Sequence, residues 1–280
     1  MAGTRSTQYN GGAPRMATQQ TAHQELHGTR LTARAVYQAI RRDGEDELQR
    51  PFGSLWWSGL AAGIVISASV FAKGLLHLEL PDTAWRSLLE NFGYCVGFLI
   101  VVLGRMQLFT ENTITVVLPL MAERTSRVFY YTLRLWLVVF AANLAGTLIA
   151  VLFAHFGFAT PEQLDSFRAV SRPLMEKSWI EMLVHGIPAG FFVAAMVWML
   201  PNSRSFEIWV VVLMTYLIVL GDFAHVVVGS AEAWLLLLAG EIGALKALWG
   251  FLVPAFIGNV IGGTALFSLL AYAQVRQEIE

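Results

Sequence analysis

Charged side chains are scarce in this chain, at 14% of 280 residues, and cysteine is nearly absent. The single Cys95 lies inside an apolar run, so neither a disulfide framework nor a cysteine-based metal site can form within one chain. Nineteen Lys and Arg against twenty Asp and Glu leave a formal net charge of −1, and the basic residues are scattered. That pattern excludes the electrostatic footprint of a nucleic-acid binder. The sequence contains no nucleophile arrangement, metal cluster or cofactor loop, so an enzyme is set aside and neither metal nor cofactor is expected. The N-terminal stretch has no apolar core of a secretory signal.

Apolar residues fill the space that charge leaves. They make up 56% of the chain, with a mean hydropathy of +0.56, well outside the balance of a soluble domain. Residues 1–50 are the exception: a polar tail whose stretch from Leu31 to Ile40 carries Leu31, Val36 and Ile40 at near-helical spacing. That stretch reads as a solvated helix, or as one lying on the membrane surface or against the rest of the chain.

Residues 51–280 form one membrane domain. A bilayer core needs roughly 20 apolar residues per helix, and six such runs emerge: Leu55 to His77, Leu88 to Leu120, Tyr130 to Phe156, Trp179 to Leu200, Phe206 to Gly240 and Leu248 to Val275. An even number places both termini on one side. Arg34, Arg41, Arg42, Arg50, Arg124, Arg127, Arg204 and Arg276 fall on that side, which makes it cytoplasmic. The second and fifth runs are too long for simple spans and carry polar residues at their middles, QLFTENT at 107–113 and GDFAH at 221–225. Both are predicted to be broken helices.

The two halves of the domain match. Gly59 and Gly63 in the first span correspond to Gly186 and Gly190 in the fourth, and Asn143 with Gly146 in the third to Asn259 with Gly262 in the sixth. Three spans per half require inverted copies, and interrupted spans at corresponding places point to a midplane site. The predicted fold is therefore all-α, with six transmembrane helices in an inverted three-plus-three repeat. The small residues and the two asparagines are read as helix-packing positions. Pro188 and Pro254 are expected to bend their helices toward the bundle interior.

Unwound backbone at membrane depth must line protein or a pore. Leu108 and Phe109, beside Thr110, Glu111 and Asn112, combine a hydrophobic constriction with a polar loop and read as a gate. His225 sits among apolar residues, where an ionisable side chain must face the bundle interior. Asp222 either caps the helix after the break or lies beside the imidazole; the cap is the preferred reading.

These residues resemble the formate/nitrite transporter family, through LFT at 108–110, Asp222-Phe-Ala-His225, and Pro254-Ala-Phe-Ile-Gly258-Asn259-Val-Ile-Gly262-Gly263, over about residues 51–275. The resemblance implies an aquaporin-like protomer in a homopentamer of the bacterial inner membrane, one pore per subunit. It places the central pore histidine on His225 and the loop threonine on Thr110. It also puts Leu108, Phe109 and Phe98 in a periplasmic-side constriction and Tyr94 and Ile218 in a cytoplasmic one. The family's usual G-F-E-H-S, with an asparagine four residues after the histidine, is replaced here by Asp222, Ala224, Val226 and Gly229. A second asparagine falls on Gly190, and a lysine falls on Leu174, with Lys177 nearby.

The expected function is passage of a small monovalent weak-acid anion, formate or nitrite for example, crossing as its conjugate acid with or without coupled protons. Two other readings are weighed beside it: an aquaporin-like pore for a neutral solute, and a closed membrane scaffold or sensor.

Overall fold

The computed structural model describes residues 30–279; the first part of the expected tail, residues 1–29, lies outside the described residues. Among these, five helices are long and apolar enough to cross a membrane: Phe52–Glu79, Arg86–Leu103, Ser126–Phe158, Trp179–Asn202 and Lys246–Ile279. Two shorter apolar helices, Glu207–Leu220 and Val226–Leu238, make up the fifth span. The second is completed by Asn112–Thr115 and Val117–Glu123. The molecule is thus an all-helical, multi-pass membrane protein with its second and fifth spans interrupted, as expected.

The interruptions begin in the same way. Helix Arg86–Leu103 ends on Gly104, Arg105 turns left-handed at φ 50°, and the Met106 N–H reaches back to the Val101 carbonyl at 3.0 Å. Helix Glu207–Leu220 ends on Gly221, Asp222 turns at φ 52°, and the Phe223 N–H reaches the Ile218 carbonyl at 3.0 Å. Each is the six-to-one closure of a Schellman turn, which satisfies terminal carbonyls and reverses the chain. After each turn the chain therefore runs back into the bundle.

Helix crossings repeat the same symmetry. A Cβ on Gly63 would lie 2.2 Å from the Asn143 carbonyl oxygen, and one on Gly190 would lie 2.1 Å from that of Asn259. Only glycine lets these backbones touch, as expected where lipid offers no hydrophobic drive to association. Gly190 therefore faces the sixth span, at a crossing with no room for the asparagine side chain that the resemblance put there. Gly190→Ala must push two helices apart and is expected to cost about 1–3 kcal/mol. The check is thermal unfolding in detergent, with Gly243→Ala as control, since nothing lies within 4 Å of a Cβ there.

Two elements lie outside the six predicted spans. Residues 33–49, assigned to the tail, form a helix capped by Thr32, whose side chain accepts from the Ala35 N–H. Its Val36, Tyr37 and Ile40 pack with Ile114, Leu118 and Val275. This apolar stripe packs the helix against the bundle, the alternative in which that stretch lies against the rest of the chain rather than in solvent. The second is Pro161–Glu176, an amphipathic helix with a Thr160/Gln163 capping box, at the far end of the first span. Its Phe167 packs closely on Gly74, and Arg172 donates two hydrogen bonds to Glu241 at 2.6 and 2.9 Å. Pro188 lies within the continuous helix Trp179–Met199, and the buried Pro254 follows a π-helical stretch, Lys246–Leu252.

Candidate functional site

Each returning loop hangs from one buried asparagine. Asn143 Oδ1 accepts from the Phe109 N–H at 2.9 Å, while its Nδ2 donates to the Gly59 and Gln107 carbonyls at 2.8 and 2.9 Å. Asn259 Oδ1 accepts from the Val226 N–H at 2.9 Å, while its Nδ2 donates to Gly186 and Ala224 at 2.9 and 2.7 Å. Both residues were read from sequence as packing positions. In the structure each satisfies two backbone groups that the broken helix would otherwise leave orphaned in hydrocarbon, and ties them to a carbonyl of the neighbouring continuous helix. The two triads superimpose position for position, which makes Leu108 the counterpart of His225.

His225 caps the helix that follows its loop: Nδ1 accepts from the Val228 N–H at 3.2 Å. This overturns the expectation for Asp222. That residue lies on the turn, where its carboxylate pairs with Lys177 and its carbonyl oxygen accepts from His185 Nδ1 at 3.0 Å. It neither caps the helix nor touches the imidazole.

The cap fixes the state of the ring. A backbone N–H can only donate, so Nδ1 must offer a lone pair and the proton of the neutral imidazole sits on Nε2. Nε2 lies 2.7 Å from Thr110 Oγ1, so it donates to that hydroxyl. The Thr110 hydroxyl keeps its own proton, and the described residues provide no acceptor for it. The site accordingly presents one O–H donor, aimed by an imidazole that is itself held by a helix terminus.

Apolar residues close around this pair. Phe98, Leu108 and Phe109 are fully buried, as is Thr110, and His225 is 1% exposed. The Phe98 ring meets the imidazole edge-on at 5.0 Å. Phe109 stacks on Phe256 at 5.0 Å and packs on Phe140 at 4.9 Å, which anchors it between the third and sixth spans.

A cavity opens on either side of the plug. The larger, about 580 Å³, lies on the face that carries the Ala33–Gln49 helix and is lined by Glu111, Asn112, Gln107 and Val102 among others. The smaller, about 280 Å³, lies on the opposite face and includes Tyr94, Asp222, Leu174, Lys73, Glu90, Glu232 and His225 itself. We call them the inner and outer vestibules. Phe98 stands one helical turn from Tyr94 on the outer side and from Val102 on the inner side. Phe98, Leu108 and Phe109 line neither cavity and are fully buried, while Tyr94 lines the vestibule remote from the Ala33–Gln49 helix, not the one on the side of the termini where the sequence put it. Ile218 is buried and gives its carbonyl to the turn, while its neighbours Val219 and Leu220 line the outer vestibule.

Asn112 Nδ2 donates to Gln107 Oε1 at 3.0 Å, tying the two ends of the inner loop together. At Gly229 a Cβ would meet Phe251 at 2.5 Å and Leu174 at 2.9 Å, so apolar side chains occupy that space. Lys73, Glu90 and Glu232 were missed from the sequence. The signal was available, since ionisable residues within apolar spans mark a lined cavity.

Residues 34–273 match the formate/nitrite transporter family. The inner membrane protein YfdC of Escherichia coli K12 is 41% identical over 258 residues, 91% of this chain and 83% of that protein. The formate channel BtFdhC of Bacillus thuringiensis is 26% identical, over 87% of this chain and 95% of that one. A pentameric formate channel with formate bound superimposes with a TM-score of 0.69 at 18% identity, covering 81% of this chain and 98% of that one. Matched over nearly its whole bundle, and sharing that fold, the chain belongs to the formate/nitrite transporter family.

Proposed function

We propose that this protein passes a small monovalent weak-acid anion, formate or a near analogue, across the bacterial inner membrane, and that the solute crosses the plug as its conjugate acid. The observation that carries this reading is the buried Thr110–His225 pair between two vestibules. Its single free donor matches one acceptor oxygen. Energetics favour the neutral form: protonating an acid of pKa about 4 at pH 7 costs roughly 4 kcal/mol, whereas moving a bare ion into low dielectric costs tens. The relatives named as formate channels support the substrate class.

The pentameric relative further supports a homopentamer with one pathway per subunit. The excess of arginine on the inner face, and a relative named as an inner membrane protein, support cytoplasmic termini.

Uptake of labelled formate into proteoliposomes at pH 5.5 and 7.5, with nitrite, acetate and lactate as competitors, tests this reading. Saturable uptake that rises toward the lower pH is expected. Absence of anion flux at both values, alongside swelling in uncharged solutes, would move the assignment to a neutral-solute pore.

A further inference from the structure

We propose that Glu111 is the residue that hands a proton to the permeating acid at the inner vestibule, and that it thereby selects weak acids over the anions of strong acids. The inference rests on the proposed function and assigns a step that His225 cannot perform as it is held. Both imidazole nitrogens are engaged, Nδ1 by the Val228 N–H and Nε2 by Thr110. Giving up the Nε2 proton would require protonation at Nδ1, whose lone pair is already occupied. The proton must come from another group.

Glu111 directly follows Thr110 in the chain and lines the inner vestibule. Its Oε1 is buried and has no hydrogen-bond partner among the described residues. The charged groups that share the vestibule are Asp43 and Glu47 from the Ala33–Gln49 helix, Arg105 from the turn, Arg204 ahead of the fifth span and Glu207 at its start. Arg105 lies 3.9 Å from Asp43, and Glu47 pairs with Arg50 at 3.0 Å. No cation pairs with Glu111 among the described residues. An orphaned carboxyl oxygen is costly unless it has a partner at some stage of the working cycle, and a carboxylic substrate supplies one.

In the step itself, the O–H bond of the Glu111 carboxyl breaks and an O–H bond forms on the substrate carboxylate. The neutral acid moves on to the Thr110 hydroxyl, and Glu111, left as carboxylate, regains a proton from inner-vestibule water. Transit in the other direction reverses each transfer. Nitrate or chloride cannot accept the proton and meets a wall rich in carboxylates.

The test is formate and nitrate flux through full-length wild type, Glu111→Gln and Glu111→Asp in proteoliposomes from pH 5.5 to 7.5, each variant checked for wild-type elution by size exclusion. Glu111→Gln is expected to lower formate flux about tenfold or more at pH 7.5, in the range of lost proton-transfer assistance. It should be near wild type at pH 5.5, where bulk water supplies the neutral acid, and should admit nitrate. Glu111→Asp should recover part of the loss. An unchanged pH profile in Glu111→Gln, with wild-type formate flux intact, overturns the inference and leaves the transport reading standing. So does an equal loss at every pH that Glu111→Asp fails to relieve. Absence of formate flux in wild type overturns both.

Discussion

Asn259→Leu is expected to abolish folded, assembled protein. The substitution keeps the branched shape of the side chain but strands the Val226 N–H and the Ala224 carbonyl, each costing about 1–3 kcal/mol when left unpaired in a buried site. Two such groups, at about 2–6 kcal/mol together, take away much of the stability of a typical domain, on the order of 5–15 kcal/mol. Asn259→Asp should do little better, because it keeps the acceptor for Val226 but sets a carboxylate against two carbonyl oxygens. Asn143→Leu is expected to behave in the same way through the Phe109 N–H and the Gln107 carbonyl. The folded fraction recovered in detergent by size exclusion measures this directly, and a well-folded Asn259→Leu protein with wild-type flux would show that the loops have another support.

The second large effect is on flux with the fold preserved. His225→Asn keeps an acceptor at the cap of Val226–Leu238, because asparagine is among the preferred N-cap residues, but cannot reach Thr110 as the imidazole does. Loss of the hydrogen bond that aims the Thr110 donor at a neutral acid costs about 0.5–1.5 kcal/mol, so formate flux should fall about two- to tenfold. The thermal midpoint should stay near that of wild type. His225→Ala removes the cap as well and should cost about a further 1 kcal/mol of stability. Formate uptake and thermal unfolding, measured on both variants, separate the two roles of the ring; wild-type uptake in His225→Asn would remove the imidazole from the pathway.

Much of this architecture could be read from the residues, because hydrocarbon enforces simple rules. Apolar runs of sufficient length became spans, and polar residues within overlong runs became breaks. The pairing of Gly59 with Gly186 and Asn143 with Asn259 revealed the inverted halves. The chemistry of those same asparagines was not legible: a side chain that hydrogen-bonds distant backbone looks identical, in sequence, to one that fills a crossing.

Chain direction was the second blind spot. After Leu103 and Leu220 the backbone turns on Gly104–Arg105 and Gly221–Asp222 and re-enters the bundle. Residues further along the sequence therefore lie deeper, not nearer the far face. Reading the fifth run without that reversal gave Asp222 a capping role that His225 holds. Helix Pro161–Glu176 went unnoticed because its mixed polarity resembled a loop, although Thr160-Pro-Glu-Gln163 spelled out a capping box.

The equivalence of Leu108 and His225 carries a consequence for vectorial behaviour. A path with two identical halves would offer the same succession of barriers from either bath. On the proposed pathway a solute arriving from the inner side meets the polar loop of Gln107, Glu111 and Asn112 first, and from the outer side it meets the imidazole first. Influx and efflux can therefore saturate at different concentrations and respond differently to the acidity of each compartment. Detailed balance still requires the two directions to cancel at equal electrochemical potential, so this asymmetry can rectify traffic but can never by itself accumulate solute; under the proposed passage as conjugate acid, accumulation requires a gradient of the proton.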